Sequence, residues 1–371
     1  MAEESKPTEE REEETPAAMD SPAEGEEKVE TKGKEVSLRN RQAVWGWVRV
    51  GLLVMLLGVT GALVALRWAC QPVSLTAAPR LVTIPPGASL SKIAHQLERE
   101  GLIRRAWIFI HLAKRQGKAA SLQAGQYELS PHLTPQEILD RLTAGEVAVR
   151  WITFPEGFTL RQMAERWEQE GFGPAAEYLR WATERASEFG VKGLPVGQTL
   201  EGYLFPDTYR LPVGASARDL IALQVKRFEE VYADLVKTAQ PRLSRHEIVA
   251  LASLVEREAR TERDRPLIAG VLYNRLERHW RLECDASVLY ALGEHKSRVL
   301  YRDLRVDSPY NTYRYAGLPP GPIANPGRAS LAAALHPAKT EALYYVARPD
   351  GSHVFSRTLA EHRRAIAEIR R

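Results

Sequence analysis

Two carboxylates in the segment Leu243–Glu262, L-S-R-H-E-I-V-A-L-A-S-L-V-E-R-E-A-R-T-E, are placed to move a proton. At about 100° per residue, Glu258 projects between Leu251 and Leu254, with Val255 one turn back. A helix continued past it sets a like charge, Glu262, four residues on. Apolar neighbours and a nearby anion both disfavour ionisation, so the expected pKa of Glu258 is raised. Glu256 lies beside Val249, Ala252 and Ser253, with Arg260 four residues on, the setting of an ordinary surface ion pair. A carboxyl kept neutral at about pH 7 can hand a proton to a leaving oxygen, as cleavage of a glycosidic bond requires. Solvated helix charges are the commoner use of such residues. Spacing therefore ranks Glu258 above Glu256 without making either catalytic.

The element that must carry these groups has a clear start. Ser244 can cap it and Glu247 can reach back, while Leu243 and Ile248 suit a hydrophobic staple. Ile248, Leu251, Ala252, Val255 and Ala259 then recur at helical spacing, which predicts one buried face. Downstream, Asp285 opens the segment D-A-S-V-L-Y-A-L-G. A Pro/Gly-dense loop then carries Tyr310, Asn311 and Thr312, and its restricted backbone is expected to present them as a rigid polar rim. Upstream, Glu201 begins E-G-Y-L-F-P-D-T-Y, whose aromatics and acids suit a sugar cleft. Pro349-Asp350-Gly351 between two apolar runs predicts a hairpin before a terminal helix.

The chain has 371 residues and a net charge of +4, which gives no general reason to bind a polyanion such as nucleic acid. Residues 1–43 are expected to form an acidic tail, disordered for want of apolar residues. Val50–Leu66 runs without a charge, and with its flanks (44–67) it predicts a membrane span anchored by Trp45, Trp47 and Trp68. Lys32, Lys34, Arg39, Arg41 and Arg49 precede it, so the N-terminus is expected inside and the rest outside the cytoplasmic membrane. Arg67 and Trp68 before Cys70 argue against a lipidation signal. No phosphate loop, no Cys/His metal spacing and no H-E-x-x-H pattern is present, so neither a metal nor any other cofactor is expected.

Beyond a short stalk an internal repeat appears. Residues 82–102, V-T-I-P-P-G-A-S-L-S-K-I-A-H-Q-L-E-R-E-G-L, return at 152–172 as I-T-F-P-E-G-F-T-L-R-Q-M-A-E-R-W-E-Q-E-G-F. Each copy reads as a strand, a Pro-x-Gly turn and an amphipathic helix capped by Ser89 or Thr159. The first copy resembles the LysM family, whose modules bind chitin-like and peptidoglycan sugars. The expected organisation is α+β: a single span, tandem LysM-like modules at 80–150 and 151–240, the second with an insertion, and a mixed α/β domain at 241–371.

Five segments fall in the order found in one family: A-G-Q-Y, E-G-Y-L-F-P-D-T-Y, A-S-L-V-E-R-E, Y-N-T-Y with G-L-P-P-G-P-I-A-N-P-G, and H-P-A-K-T with Y-Y-V-A. From about residue 80 onward the chain resembles the YceG-like family of membrane-anchored endolytic murein transglycosylases. The resemblance implies that Glu258 is the catalytic acid/base and that Asp285 matches a family Asp, with Cys284 in place of the usual small or hydroxyl residue. It implies cleavage inside nascent glycan strands beside the peptidoglycan synthases that make them. Glu201, Asp285, Tyr310, Asn311 and Thr312 are the residues expected to orient sugar and stem peptide. Two other readings compete: a muramidase that hydrolyses with Glu258 and Asp285 or Glu256, and a non-catalytic scaffold that binds the wall through its LysM-like modules.

Overall fold

Helix α1 (Val29–Ala69) contains Trp45–Ala69, a mainly apolar stretch of mean hydropathy 2.2, charged only at Arg49 and Arg67, that is long enough to cross a bilayer. The computed structural model describes residues 29–293 and 299–370. Residues 29–43, assigned to the tail by composition, are helical here, and the remainder of the expected tail lies outside the described residues. From Pro72 onward the chain is a second compact unit. The expected stalk is tethered at its start: the Val73 and Ser74 N–H groups donate to the Pro131 carbonyl, and Arg104 donates to that of Pro72.

The repeat folds as two copies of one arrangement. In the first, β1 (Arg80–Ile84), α2 (Leu90–Arg99) and α3 (Ala106–Arg115) lead to β2 (Gly125–Leu129) and α4 (Pro135–Ala144). Strands β1 and β2 pair antiparallel, with Arg80 opposite Leu129. In the second, β3 (Val149–Thr153), α5 (Leu160–Gln169) and α6 (Ala175–Thr183) lead to β4 (Thr208–Pro212) and α7 (Ala217–Val236). Here Val149 opposes Pro212. The segment read as an insertion thus contains α6, the counterpart of α3. Ser89 and Thr159 cap α2 and α5 as their positions require.

The last region is helical apart from one antiparallel hairpin. It runs α8 (Arg245–Glu258), α9 (Arg265–Glu277), α10 (Asp285–Leu292), α11 (Arg328–Leu335), β5 (Tyr344–Ala347), β6 (His353–Ser356) and α12 (Leu359–Ile369). Among the described residues it holds no parallel strands, so α+β replaces the mixed α/β domain read from the sequence. Helix α8 is the axis of this region: every residue from Ile248 to Val255 is buried, and α9, α10 and α11 pack around it. An all-round apolar helix can exist only where neighbours enclose it. Each of the three regions has a core of its own, and α7 joins the last two. Its Leu220, Ile221 and Val225 enter the second core, whereas Phe228, Val231 and Tyr232 enter the third.

Candidate active site

Helix α8 begins with the capping box read from the sequence: the Glu247 N–H donates to Ser244 Oγ, and the Ser244 N–H donates to the Glu247 carboxylate at 2.8 Å. It ends earlier than expected. Ala259 is extended (φ −76, ψ 132), so Glu258 is the last helical residue and Arg260 and Glu262 leave the helix path. Asp264 directs the turn. It is buried and accepts from both the N–H and Nδ1 of His353, at 2.8 and 3.0 Å, which draws residues 259–264 toward the hairpin.

The early end changes the surroundings of both carboxylates. Glu256 does not pair with Arg260. Its Oε2 accepts the Gly327 N–H at 2.9 Å and its Oε1 lies 3.3 Å from Arg265, so it is a buried fastener between α8, α9 and α11. Glu258 instead faces the first turn of α10 across a cavity of about 540 Å³. It keeps partial solvent access there, although most of the volume around it is protein. Burial and then the negative charge of Asp285 push its pKa up to about 7. The Ala286 N–H, the Tyr345 hydroxyl and the Arg257 guanidinium oppose that rise without cancelling it. The raised value expected from sequence has the expected kind of cause, but the anion is Asp285 and not Glu262.

Asp285 occupies the first position of α10 and accepts a 2.7 Å bond from the Tyr313 hydroxyl. Burial, and next the bond to Asp285, keep the Tyr313 phenol protonated. Burial does the same for Tyr345, whose ring meets that of His353 edge-on at 5.7 Å. Glu258, Asp285, Tyr313, Tyr345 and His353 all line this cavity, together with Arg275. Arg275 is buried and donates to the carbonyls of Leu282 and Leu343 at 2.8 and 2.7 Å.

The expected polar rim lies deeper than its sequence implies. Asn311 and Thr312 are buried. Asn311 donates to the carbonyls of Leu304 and Val306, and Thr312 Oγ1 accepts the Cys284 N–H at 2.9 Å and meets Ser287 Oγ at 2.8 Å. Thr312 thereby fixes the start of α10, and hence Asp285 and Ala286, from beneath, while Asn311 Oδ1 accepts the Tyr313 N–H at 3.0 Å and braces the loop that carries Tyr313. Tyr310 packs tilted against Tyr290, with ring centroids 4.9 Å apart, and does not line the Glu258 cavity. Cys284, buried immediately before α10, keeps its thiol protonated because burial and then Glu258 raise its pKa. Glu201 lines a neighbouring cavity. It is 5% exposed, accepts the Leu160 N–H and the Asn325 amide at 3.0–3.1 Å, and meets the Tyr290 hydroxyl at 3.3 Å. Burial pushes its pKa up to about 8 against those hydrogen bonds.

The site therefore unites one acid of raised pKa, one carboxylate and two phenolic donors in a cavity. Among the described residues no group of His, Cys, Asp and Glu is arranged to hold a metal ion. A sequence profile described as the YceG-like family matches residues 82–368. The chain belongs to the YceG-like family. One relative, named endolytic murein transglycosylase, from Bacillus subtilis, is 38% identical over 76% of this chain and 83% of its own length. A protein of the same name from Streptococcus pneumoniae is 30% identical over 77% of this chain but only 58% of its own length. A crystal structure of a yceG-like protein from Listeria monocytogenes is 37% identical, has a TM-score of 0.53, and covers 78% of this chain and 100% of that one.

Tyr313, Tyr345, His353 and Asp264 carry no signal of their own in the sequence. Tyr313 closes the family segment Y-N-T-Y and Tyr345 is the second residue of Y-Y-V-A, but their meeting at Glu258 depends on the hairpin folding back onto α8 and α10. No periodicity within one segment can report that.

Proposed function

We propose that this YceG-like protein is a membrane-anchored endolytic lytic transglycosylase. It cleaves the bond between N-acetylmuramic acid and N-acetylglucosamine inside nascent glycan strands and leaves 1,6-anhydro-muramoyl ends. The observation that carries the reading is Glu258, a carboxyl with a pKa of about 7 open to a cavity. Its proton passes to the glycosidic oxygen as the C1–O bond breaks. The C6 hydroxyl of the same muramic residue then attacks C1 and returns its proton to the Glu258 carboxylate. One group serves as acid and then base, no water is consumed, and the tethered hydroxyl supplies a large effective molarity. Asp285, held by Tyr313, faces the developing positive charge on the sugar, and Tyr345 orients Glu258. Thr312 acts from beneath by fixing α10, and Asn311 by bracing the loop that carries Tyr313. The names of the relatives support the substrate. The apolar helix, with basic residues ahead of it, supports an anchor with the N-terminus inside and the site outside, where strands leave the synthases.

Asp285 also favours a second reading. A carboxylate near enough to raise the pKa of Glu258 is the second group a hydrolase needs. Product ends decide between the two. The full-length protein and its Glu258→Gln variant are incubated with polymerised glycan and the ends analysed by mass. Anhydro-muramoyl ends are expected, with the variant slower by at least about a hundredfold. Reducing ends throughout would move the assignment to hydrolysis. Undiminished cleavage by the variant would remove Glu258 from the mechanism.

A further inference from the structure

A second cavity, of about 550 Å³, shares the wall Arg257, Ala286 and Leu289 with the one that holds Glu258. The far side is built by the start of α5 (Thr159 to Gln162) and by α6, and the near side by α10. Two sites that abut across a single turn of helix can hold neighbouring parts of one polymer. Their chemistry differs. The Glu258 cavity sets the carboxyl groups of Glu258, Glu283 and Asp285 against the guanidiniums of Arg257, Arg260 and Arg275 and adds three tyrosine rings, which suit a sugar. The second presents the guanidiniums of Arg161 and Arg257, threonine hydroxyls and aliphatic side chains. It has one aromatic ring, Tyr290, which is tilted against Tyr310 and bonded through its hydroxyl to Glu201, against three tyrosines in the Glu258 cavity. Its acids are Glu165, exposed like the two arginines, and Glu201, which with its pKa at about 8 carries little charge at neutral pH, so the cationic groups outnumber the anionic ones. That surplus of guanidinium groups favours an anionic ligand.

The geometry points to this cavity as a subsite for the acidic peptide on the muramic acid next to the cleaved bond, with Arg161 and Arg257 reading its carboxylates. The inference rests on the transglycosylase reading above. Muramic acid carries its peptide on a lactyl group, so a strand lying in the Glu258 cavity projects a carboxylate-bearing chain sideways. Guanidinium forks match carboxylates in two bonds at once, whereas an ammonium does not. Arg161 spans the opening from α5 toward the end of α10, where its Nη1 lies 3.4 Å from the Gly293 carbonyl.

The test compares kcat/KM of the full-length protein in detergent on two substrates: polymerised strands with intact peptides, and the same strands stripped of peptides by an amidase. The wild-type protein is expected to prefer peptide-bearing strands by roughly tenfold, the scale of one bidentate ionic contact. Arg161→Glu is expected to bring the ratio near one, with Arg161→Lys between them because it keeps the charge but loses the fork. An equal rate loss on both substrates would show Arg161 to be only a staple between α5 and α10, and a wild-type ratio near one would equally overturn the subsite. A binding arm separates this from the reaction itself. Calorimetry with the free tripeptide L-alanyl-γ-D-glutamyl-L-lysine is run on the Glu258→Gln protein with and without Arg161→Glu. Binding that depends on Arg161 upholds the subsite even if neither strand is cleaved, in which case the transglycosylase reading alone falls. No binding at millimolar peptide overturns the subsite whatever the cleavage result.

Discussion

Glu258 is held between influences of opposite sign, and each can be removed singly. Burial and Asp285 keep its proton on, whereas Tyr345 and the Ala286 N–H stabilise the anion. A general acid must be protonated in the free enzyme, so kcat/KM is expected to fall as pH rises through about 7. Asp285→Asn removes an anion and should move that alkaline limb to lower pH. Tyr345→Phe removes a donor to the carboxylate and should move it to higher pH, with a loss in kcat of roughly tenfold to a hundredfold as the carboxyl loses its fixed orientation. pH–rate profiles of the two variants check both directions. Shifts of the same sign would mean that neither residue acts through Glu258.

At the scale of elements, α8 concentrates most of what positions the acid. Its Ser244–Glu247 box satisfies otherwise orphaned N–H groups at a helix whose whole middle is buried, so fraying there loosens the third core. Ser244→Ala is expected to cost about 1 kcal/mol, read as a drop in Tm of roughly 2–4 °C with the pH–rate profile unchanged. The other end of α8 is set from a distance. The turn after Glu258 is tied down by Asp264 bonding to His353 on β6, so the last turn takes its shape from the hairpin. An extended Ala259 also takes Glu262 out of the position one turn beyond Glu258 that a continued helix would have given it.

Across the whole molecule, Glu201 fastens the second module to the third region. Its carboxyl takes the Leu160 N–H at the start of α5 and the Asn325 amide from the Pro/Gly-dense loop. Gly202 beside it allows the close approach: its φ is +85, and a Cβ there would lie 2.4 Å from Pro322. The pKa of Glu201 is raised in the fold from the ordinary 4.5 to about 8. The native state therefore binds the extra proton across that interval. Its contribution to stability is fully present below 4.5 and is lost as pH rises through 8. Glu258 adds a similar contribution, lost as pH rises through about 7. Glu201→Gln, which keeps the shape of the protonated group, is expected to flatten the decline in Tm as pH rises, leaving the part due to Glu258, which Glu258→Gln removes. Glu201→Ala should lose about 1–3 kcal/mol at any pH by leaving buried donors unsatisfied, as chemical denaturation can measure.

Sequence alone determined the features whose causes are local. These are the apolar helix, the repeated strand–turn–helix units and the capping box of α8, because periodicity, caps and charge runs act within a few residues. Glu258 was legible as an acid of raised pKa because its apolar neighbours share its helix. The tertiary structure decided which anion lies beside it, what ends its helix, and that Asn311 and Thr312 support the site from beneath. It also decided that Tyr313, Tyr345 and the His353–Asp264 pair meet there. Those outcomes depend on where the hairpin and α10 come to rest against α8, and desolvation is a property of everything packed around a group, however far away in the chain.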